Sequence, residues 1–345
     1  MSLDIEDAAA LVAYLRSRGR IGERETPRIQ VLAGGVSNRT VLVERGAEVR
    51  SDLVIKQALS KLRVDVDWYS DPARVHREAL GLRRLAELLP DGSVPQFVFE
   101  DRADHLLAMT AVPQPHENWK TRLLSGRIDF GYVSQFAEIL AAIHRGADER
   151  RDELAREFDD RSFFESLRQE PYYAYTAGQV PEASEFLNLL IDETRRRRWT
   201  LVHGDFSPKN ILIHRERLVL LDHEVIHWGD PAFDVGFSMT HLLSKAHHLK
   251  QHREAFAAAA LSYWNVYAGA IGTGRWQNGL QDHCVRHTLG CLLARAAGRS
   301  PLEYLSHNER TRQLRVVMEL MARTPSTMNE LVARFVERLN SLAGD

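Results

Sequence analysis

The most constraining stretch of this chain is the run HGDFSPKN at residues 203–210, followed by LLDHE at 220–224. Asp205 and Asn210 are five residues apart, and Asp222 comes twelve after Asn210, closing the apolar run Leu218–Leu221. A turn can face Asp205 and Asn210 into one cavity, and short strands on each side of His214–Arg217 would form a hairpin that returns Asp222 beside them. Phosphoryl transfer needs such a set. One carboxylate orients an attacking hydroxyl and takes its proton, while an amide oxygen and a second carboxylate hold Mg²⁺ against the phosphates. Asp205 is therefore the candidate catalytic base, and Asn210 and Asp222 are candidate metal ligands. Glu224, two residues beyond Asp222, becomes a further candidate ligand once the pattern below is compared with known families. Acidic turn residues are common, so HGD alone would carry little weight. The joint spacing, the β-rich context and the later GDPAFDVG (229–236) carry the reading.

The order of elements upstream agrees with that chemistry. Residues 5–18 place Ile5, Ala8, Leu11, Val12 and Leu15 at helical spacing. Residues 29–45 are two β-rich runs around a turn holding Gly34, Gly35, Ser37 and Asn38, whose backbone amides could cover phosphates. DLVIKQAL (52–59) reads as a strand carrying Lys56, and the stripe Val75, Ala79, Leu82, Leu85, Leu89 marks a helix over 72–89 that carries Glu78. Two more strands follow, near 97–100 and 105–112. Taken singly, the glycines read as a hairpin turn and Lys56 as a solvated charge. In this order they read as a nucleotide site, with Lys56 on the α/β-phosphates and Glu78 positioning it. After Pro113 the pattern turns helical, with strong helices over 132–145 and 183–197. The expected fold is α+β and two-lobed: a small β-rich lobe over 1–112 and a larger, mainly helical lobe over 113–345.

Composition removes several alternatives. The chain has 345 residues, 44% hydrophobic, with net charge −2 and a pI near 6.7. That is enough chain for a substantial core, and it gives no electrostatic reason to expect nucleic acid or an anionic membrane as partner. No apolar run is long enough to span a bilayer, and MSLDIEDAAALVAYLRSRG lacks the basic start and apolar stretch of a signal peptide, so a cytoplasmic enzyme is expected. Cys284 and Cys291 lie about two helical turns apart, roughly 10 Å of rise, too far for a disulfide. No G-x-x-x-x-G-K-[ST] run and no Gly-x-Ser-x-Gly elbow is present, and His283 and His287 lack the following Glu of a zinc-protease motif. The His247-His248 pair reads as loop.

Protein kinases carry H-R-D-x-x-x-x-N and then D-F-G at the equivalent spacing. Here Gly204 replaces the arginine and Asp222-His223-Glu224 replaces D-F-G. Those changes resemble the aminoglycoside phosphotransferase and choline kinase superfamily. The resemblance implies a protein-kinase-like fold, ATP and Mg²⁺ as cofactors, and a small-molecule hydroxyl as acceptor. It also implies that Asp234 braces the catalytic loop through backbone amides, although a plain helix N-cap accounts for that residue nearly as well.

LAGGVSNRTVLVE, DLVIKQALSKLRV, Trp68, RVHREAL, EVIHWGDPAFDVG and HTLGCLLAR further resemble 5-methylthioribose kinases. Phe206-Ser207-Pro208-Lys209-Asn210 departs from that family and follows aminoglycoside phosphotransferases, and Ala296 stands where the second arginine of a substrate-side pair is expected. Arg295, the remaining arginine, reads either as a contact to a phosphate or sugar hydroxyl or as a surface charge. Trp119 reads either as acceptor recognition or as packing. Three acceptors stay open: a methylthioribose-like sugar, an aminoglycoside or other antibiotic whose modification confers resistance, and a choline-like amino alcohol. A polycationic antibiotic would call for acids, of which the C-terminal helices offer Glu303, Glu309 and Glu319. The non-enzymatic alternative, a nucleotide-binding pseudokinase, is disfavoured because Lys56, Asp205, Asn210 and Asp222 are all present.

Overall fold

The structure is a computed structural model that describes residues 3–32, 37–46, 51–63, 67–274, 276 and 279–342. It divides into two compact units. The first comprises Met1–His116 with Val219–Val225, and the second Glu117–Leu218 with Ile226–Asp345. The division expected after residue 112 thus falls after His116, and the segment around Asp222 belongs with the N-terminal unit.

The first unit is built on a five-stranded antiparallel sheet, order β1-β2-β3-β5-β4, from β1 (Arg28–Val31), β2 (Asn38–Glu44), β3 (Leu53–Ala58), β4 (Phe97–Asp101) and β5 (Leu106–Thr110). Strand side chains alternate between faces. Leu53 and Ile55 therefore join Val41, Val43, Phe99, Leu106 and Ala108 on one face, where Ile5, Leu11, Leu15 and Ile21 cover them. Leu11 and Leu15 come from helix α1 (Ala8–Ser17), whose first turn is capped by Asp7 accepting from the amides of Ala9 and Ala10. Burying each of these aliphatic side chains stabilises the unit by about 1.5–3 kcal/mol before entropy is counted. Lys56, one residue on from Ile55, points the other way. Helix α2 (Arg74–Leu88) buries Val75, Ala79, Leu82 and Leu85, and Glu78 with them.

The second unit is mainly helical. It opens with β6 (Glu117–Asn118), α3 (Trp119–Leu124), α4 (Phe130–Glu149) and α5 (Arg151–Glu157). A helical stretch follows: α6 (Ser162–Phe164), a π-helical segment Glu165–Ala174 containing Pro171, and α7 (Tyr175–Gln179). Next come α8 (Ser184–Arg196), β7 (Thr200–Val202) and β8 (Ile211–His214). Strand β9 (Arg217–Leu220) carries the chain to the Asp222 segment, and β10 (His227–Gly229) resumes the second unit. Two small antiparallel pairings, β7 with β10 and β6 with β8, frame the loop 203–210.

Helices α9 (Pro231–His248), α10 (Arg253–Ala270), α11 (Leu280–Ala297), α12 (His307–Ala322) and α13 (Met328–Ser341) complete the unit. Pro231 at the first position and Asp230 as N-cap start α9 cleanly. His247 and His248 form its last turn, not a loop. The buried run Val235–Leu243 carries the helix through, and a basic last turn suits its C-terminal dipole. Helix α9 packs so closely on α11 that a Cβ at Gly236 would lie 2.5 Å from the His287 Cβ. Cys284 and Cys291 are buried free thiols on α11.

Candidate active site

Each unit holds a dense polar cluster among the residues expected at the site. In the first, the Lys56 ammonium donates to Glu78 Oε1 at 2.6 Å and to Asp222 Oδ1 at 2.9 Å. Burial works against the Lys56 charge, but Asp222, Glu78 and Glu224 outweigh it and hold the ammonium protonated above its ordinary range. Glu78 is pushed up to about 7, by burial first and by the neighbouring Asp222 and Glu224 after the attraction of Lys56 is set against it. Asp222 sits at φ +67°, a left-handed conformation that costs a non-glycine residue about 1 kcal/mol or more. The amide of Leu220, two residues earlier, donates to the Ser93 carbonyl at 2.8 Å and fixes the approach.

Glu224 is held beside this group. Its Oε2 accepts from Arg74 Nε and from Asn38 Nδ2, both at 3.2 Å. Arg74 is fully buried and also donates to the carbonyls of Ser37, Leu59 (2.8 Å), Ser70 and Asp71. It therefore ties the start of β2, the end of β3 and the start of α2 to Glu224. Asn38 additionally donates to Ser37 Oγ at 3.1 Å. Of the residues expected at the nucleotide, Ser37, Asn38, Lys56 and Glu78 thus gather with Asp222 and Glu224. Gly34 and Gly35 lie outside the described residues.

The second cluster is the loop 203–210. Asp205 Oδ2 accepts from Asn210 Nδ2 at 2.7 Å and faces the Arg168 guanidinium at 2.9 Å. Because Asn210 spends its NH₂ on Asp205 Oδ2 and on the Asp205 carbonyl (3.0 Å), its amide oxygen is left for another partner. Arg168 Nε also donates to the Gly204 carbonyl at 3.1 Å. Gly204 has φ +78°, where an arginine would be strained, which accounts for glycine at this position.

Asp234 braces the loop from α9. It accepts from the amides of His203 (2.7 Å) and Gly204 (2.8 Å), and His144 Nε2 lies 3.3 Å from it. Tyr267 in turn bonds the other His144 nitrogen at 2.8 Å. Burial would raise the Asp234 pKa, but His144, His203 and the Gly204 amide hold it below the usual carboxylate value. The brace is therefore the role the geometry gives Asp234, while Asp230 is the N-cap. Phe206 stacks on Phe136 with ring centres 4.3 Å apart, and Ser238 Oγ donates to its carbonyl. Asn118 Nδ2 anchors the Lys209 carbonyl at 2.8 Å. The loop is pinned from several elements at once.

Trp119 lies within the packing of the second unit. It is fully buried with its ring edge-on to Phe136, so packing is the reading the structure supports. Arg295 is not a surface charge either. It is nine-tenths buried, with its guanidinium 4.8 Å from the Tyr172 ring centre and donating to Ser300. Arg74 and Arg168 join the site without being among the residues expected there. Arg74 lies four residues before Glu78, on the same helical face, which is a usable signal. Arg168 sits in an irregular helix around Pro171, where spacing predicts little.

Among the described residues no three His, Cys, Asp or Glu side chains converge as a ready cation cage. Mg²⁺ does not require one, since it takes one or two protein carboxylates and completes its shell with phosphate and water. Within the first unit, the carboxylates of Asp222 and Glu224 supply oxygen donors of the kind that demand calls for.

Solved structures show the fold. An amicoumacin kinase is similar at 14% identity and TM-score 0.59, covering 91% of this chain and 94% of that one. A choline kinase from Cryptosporidium parvum Iowa II is similar at 13% identity and TM-score 0.57, covering 95% and 100%. These establish a fold of the protein-kinase-like phosphotransferase type. The chain belongs to the APH phosphotransferase enzyme family, whose model matches residues 28–270. Among curated proteins it is 24% identical over 271 residues to methylthioribose kinase 2 of Oryza sativa subsp. japonica, covering 69% of this chain and 62% of that protein. It is 25% identical over 264 residues to the methylthioribose kinase of Yersinia enterocolitica, covering 68% and 65%. The chain thus spans a little under two thirds of the length of these relatives.

Proposed function

We propose that this chain transfers the γ-phosphoryl group of ATP to a hydroxyl of a small molecule, with a sugar of the methylthioribose kind as the leading acceptor class. The observation that carries the reading is the pair of polar clusters. Lys56 is held charged between Glu78 and Asp222, and Asp205 is held beside Asn210 on a braced loop. Membership of the phosphotransferase family supports the reaction, and the methylthioribose kinase relatives support the sugar.

In this reading Lys56 engages the α/β-phosphates and Glu78 fixes its position. Ser37 and Asn38, with Gly34 and Gly35 before them, line the phosphate-covering turn. Asp222, Asn210 and the Oε1 of Glu224 would hold Mg²⁺, which supplies charge neutralisation at the phosphates when bound. Asp205 orients the acceptor hydroxyl and accepts its proton as the new oxygen–phosphorus bond forms and the bond to the ADP leaving group breaks. Arg168 keeps the carboxylate aimed. The protein's contribution is positioning and electrostatic stabilisation, as expected for phosphoryl transfer.

The test is a coupled ADP-release assay with Mg-ATP and a panel of methylthioribose, other pentoses, choline, aminoglycosides and other antibiotics. Turnover with one acceptor class establishes the reaction. Nucleotide binding without ADP release across the panel would favour the pseudokinase.

A further inference from the structure

The second unit contains a buried basic cluster that phosphoryl transfer as such does not use. Lys245, on α9, is fully buried, and among the described residues its ammonium has one hydrogen-bond acceptor, the His241 carbonyl at 3.1 Å. The Tyr304 ring centre lies 5.4 Å from Nζ. One turn earlier His241 packs against Phe237 at 5.0 Å, and Phe237 also lies 5.3 Å from the Arg295 guanidinium. Lys245, His241 and Arg295 are thus strung along one side of α9 where it meets α11. Lys120 and Glu303 close the cluster toward solvent as an ion pair.

The charges do not balance. Burial first, then the fields of Lys120 and Arg295, outweigh Glu303 and depress Lys245 to about 7. His241 is driven well below its ordinary range by burial, with Arg295, Lys245, Lys120 and Lys209 adding to it. Among the described residues His241 Nε2, Ser244 Oγ, Arg295 Nε and Tyr304 Oη are buried without a hydrogen-bond partner. Buried polar groups of this kind carry a cost unless a partner satisfies them. The acids that a cationic acceptor would require are already engaged. Glu303 pairs with Lys120, Glu309 caps α12 and bonds His248 at 2.9 Å, and Glu319 pairs with Arg338 at 3.1 Å. Tyr172 connects this cluster to the catalytic loop, because it packs under Arg295 and lies in the field of Arg168 and Asp205.

Resting on the kinase reading above but replacing its neutral sugar, we propose that the acceptor is a sugar-like hydroxylated small molecule bearing an anionic group, a carboxylate or a phosphate. Its hydroxyl lies at Asp205 and its anion is bound by Lys245, Arg295 and Lys120. The aminoglycoside and choline alternatives lose ground for the same reason: a cation would be repelled by this cluster.

The experiment is calorimetric titration of the protein preloaded with AMP-PNP, so that added anions do not occupy the phosphate site. The probes are D-gluconate, ribose 5-phosphate, ribose and choline. Gluconate or ribose 5-phosphate should bind in preference to ribose, and choline should not bind. The order of the two anions distinguishes carboxylate from phosphate. Lys245→Met, and independently Lys120→Met at the outer edge, should each weaken the anion by about tenfold or more and leave ribose unchanged, the size of one charge-assisted hydrogen bond. Equal binding of ribose and the anions, unaltered anion binding in both folded variants, or no anion binding would each overturn the proposal. ADP release with the same probes separates the two claims. Lysine-dependent anion binding without turnover would sustain the anion site and count against the kinase reading. Turnover of ribose that is indifferent to both substitutions would do the reverse.

Discussion

Asp234→Asn isolates the brace under the catalytic loop. The carboxylate accepts from two backbone amides at 2.7 and 2.8 Å and faces His144 at 3.3 Å, in a site without solvent. Hydrogen bonds to a buried charge contribute about 1.5–3 kcal/mol each. The amide retains one acceptor oxygen, but its NH₂ must oppose one of these donors, so the loss should be about 2–4 kcal/mol. For a unit of this size that is a fall in Tm of roughly 5–10 °C. The Asp234 pKa is held below its unfolded value, so its contribution is present above that value of 3.8 and is lost as pH falls through the folded one. The Tm gap between wild type and variant should therefore be full at pH 7 and shrink in strong acid. Asp234 acts through the loop rather than on substrate, so kcat should fall about a hundredfold, the cost of a displacement near 1 Å, with KM for ATP little changed. Thermal melts across pH, with steady-state kinetics, provide the check. Unchanged melting and unchanged kcat would refute the brace, and a KM effect alone would place Asp234 in nucleotide binding instead.

Arg74→Met should cost about 3–5 kcal/mol by removing the buried guanidinium that pairs with Glu224 and bonds several carbonyls. A urea midpoint equal to wild type would show that the pair contributes nothing. Lys245→Met should stabilise the protein near pH 7 by up to about 4–5 kcal/mol, because the ordinary lysine value of 10.5 falls to about 7 in the fold. The sign is definite: the wild-type penalty is complete below pH 7 and fades as pH rises toward 10.5, so wild-type stability should climb between pH 7 and 9 relative to the variant. Parallel pH profiles would contradict it. Gly236→Ala places a Cβ against His287 and the Thr288 backbone, and should lower stability by about 1–3 kcal/mol. An unaltered melt would mean that α9 and α11 separate freely.

What could be read in the chain without coordinates was whatever is local. The alternation through Ile55 and Lys56 marks a strand face, the stripe through Val75 and Leu82 marks the helix that buries Glu78, and the five-residue spacing of Asp205 and Asn210 marks a loop that turns both side chains together. Arg74 was hidden because its partners lie in Ser37, Leu59 and Glu224, far apart in sequence. Arg168 was hidden because a π-helical segment obeys no familiar period. Lys245 was the least legible. In sequence it is a basic residue near a helix end, the usual place for a solvated charge, and only packing against Tyr304 and α11 makes it buried. Trp119 left two readings open for the converse reason: a large aromatic after a connector can recognise a ligand or fill the core, and its buried contact with Phe136 supports packing.

The most direct test of the central claim is Asp205→Asn, read by two signals on the same preparation: binding of Mg-ATP by calorimetry, and ADP release with the acceptor that supports turnover in the wild type. The account predicts nucleotide affinity within a few-fold of wild type and turnover reduced to the assay background, because Asn210 and Arg168 can still hold the loop while the proton acceptor is gone. Retained turnover would contradict the assignment of Asp205 as base, and lost nucleotide binding would move Asp205 from the acceptor side of the reaction to the nucleotide side.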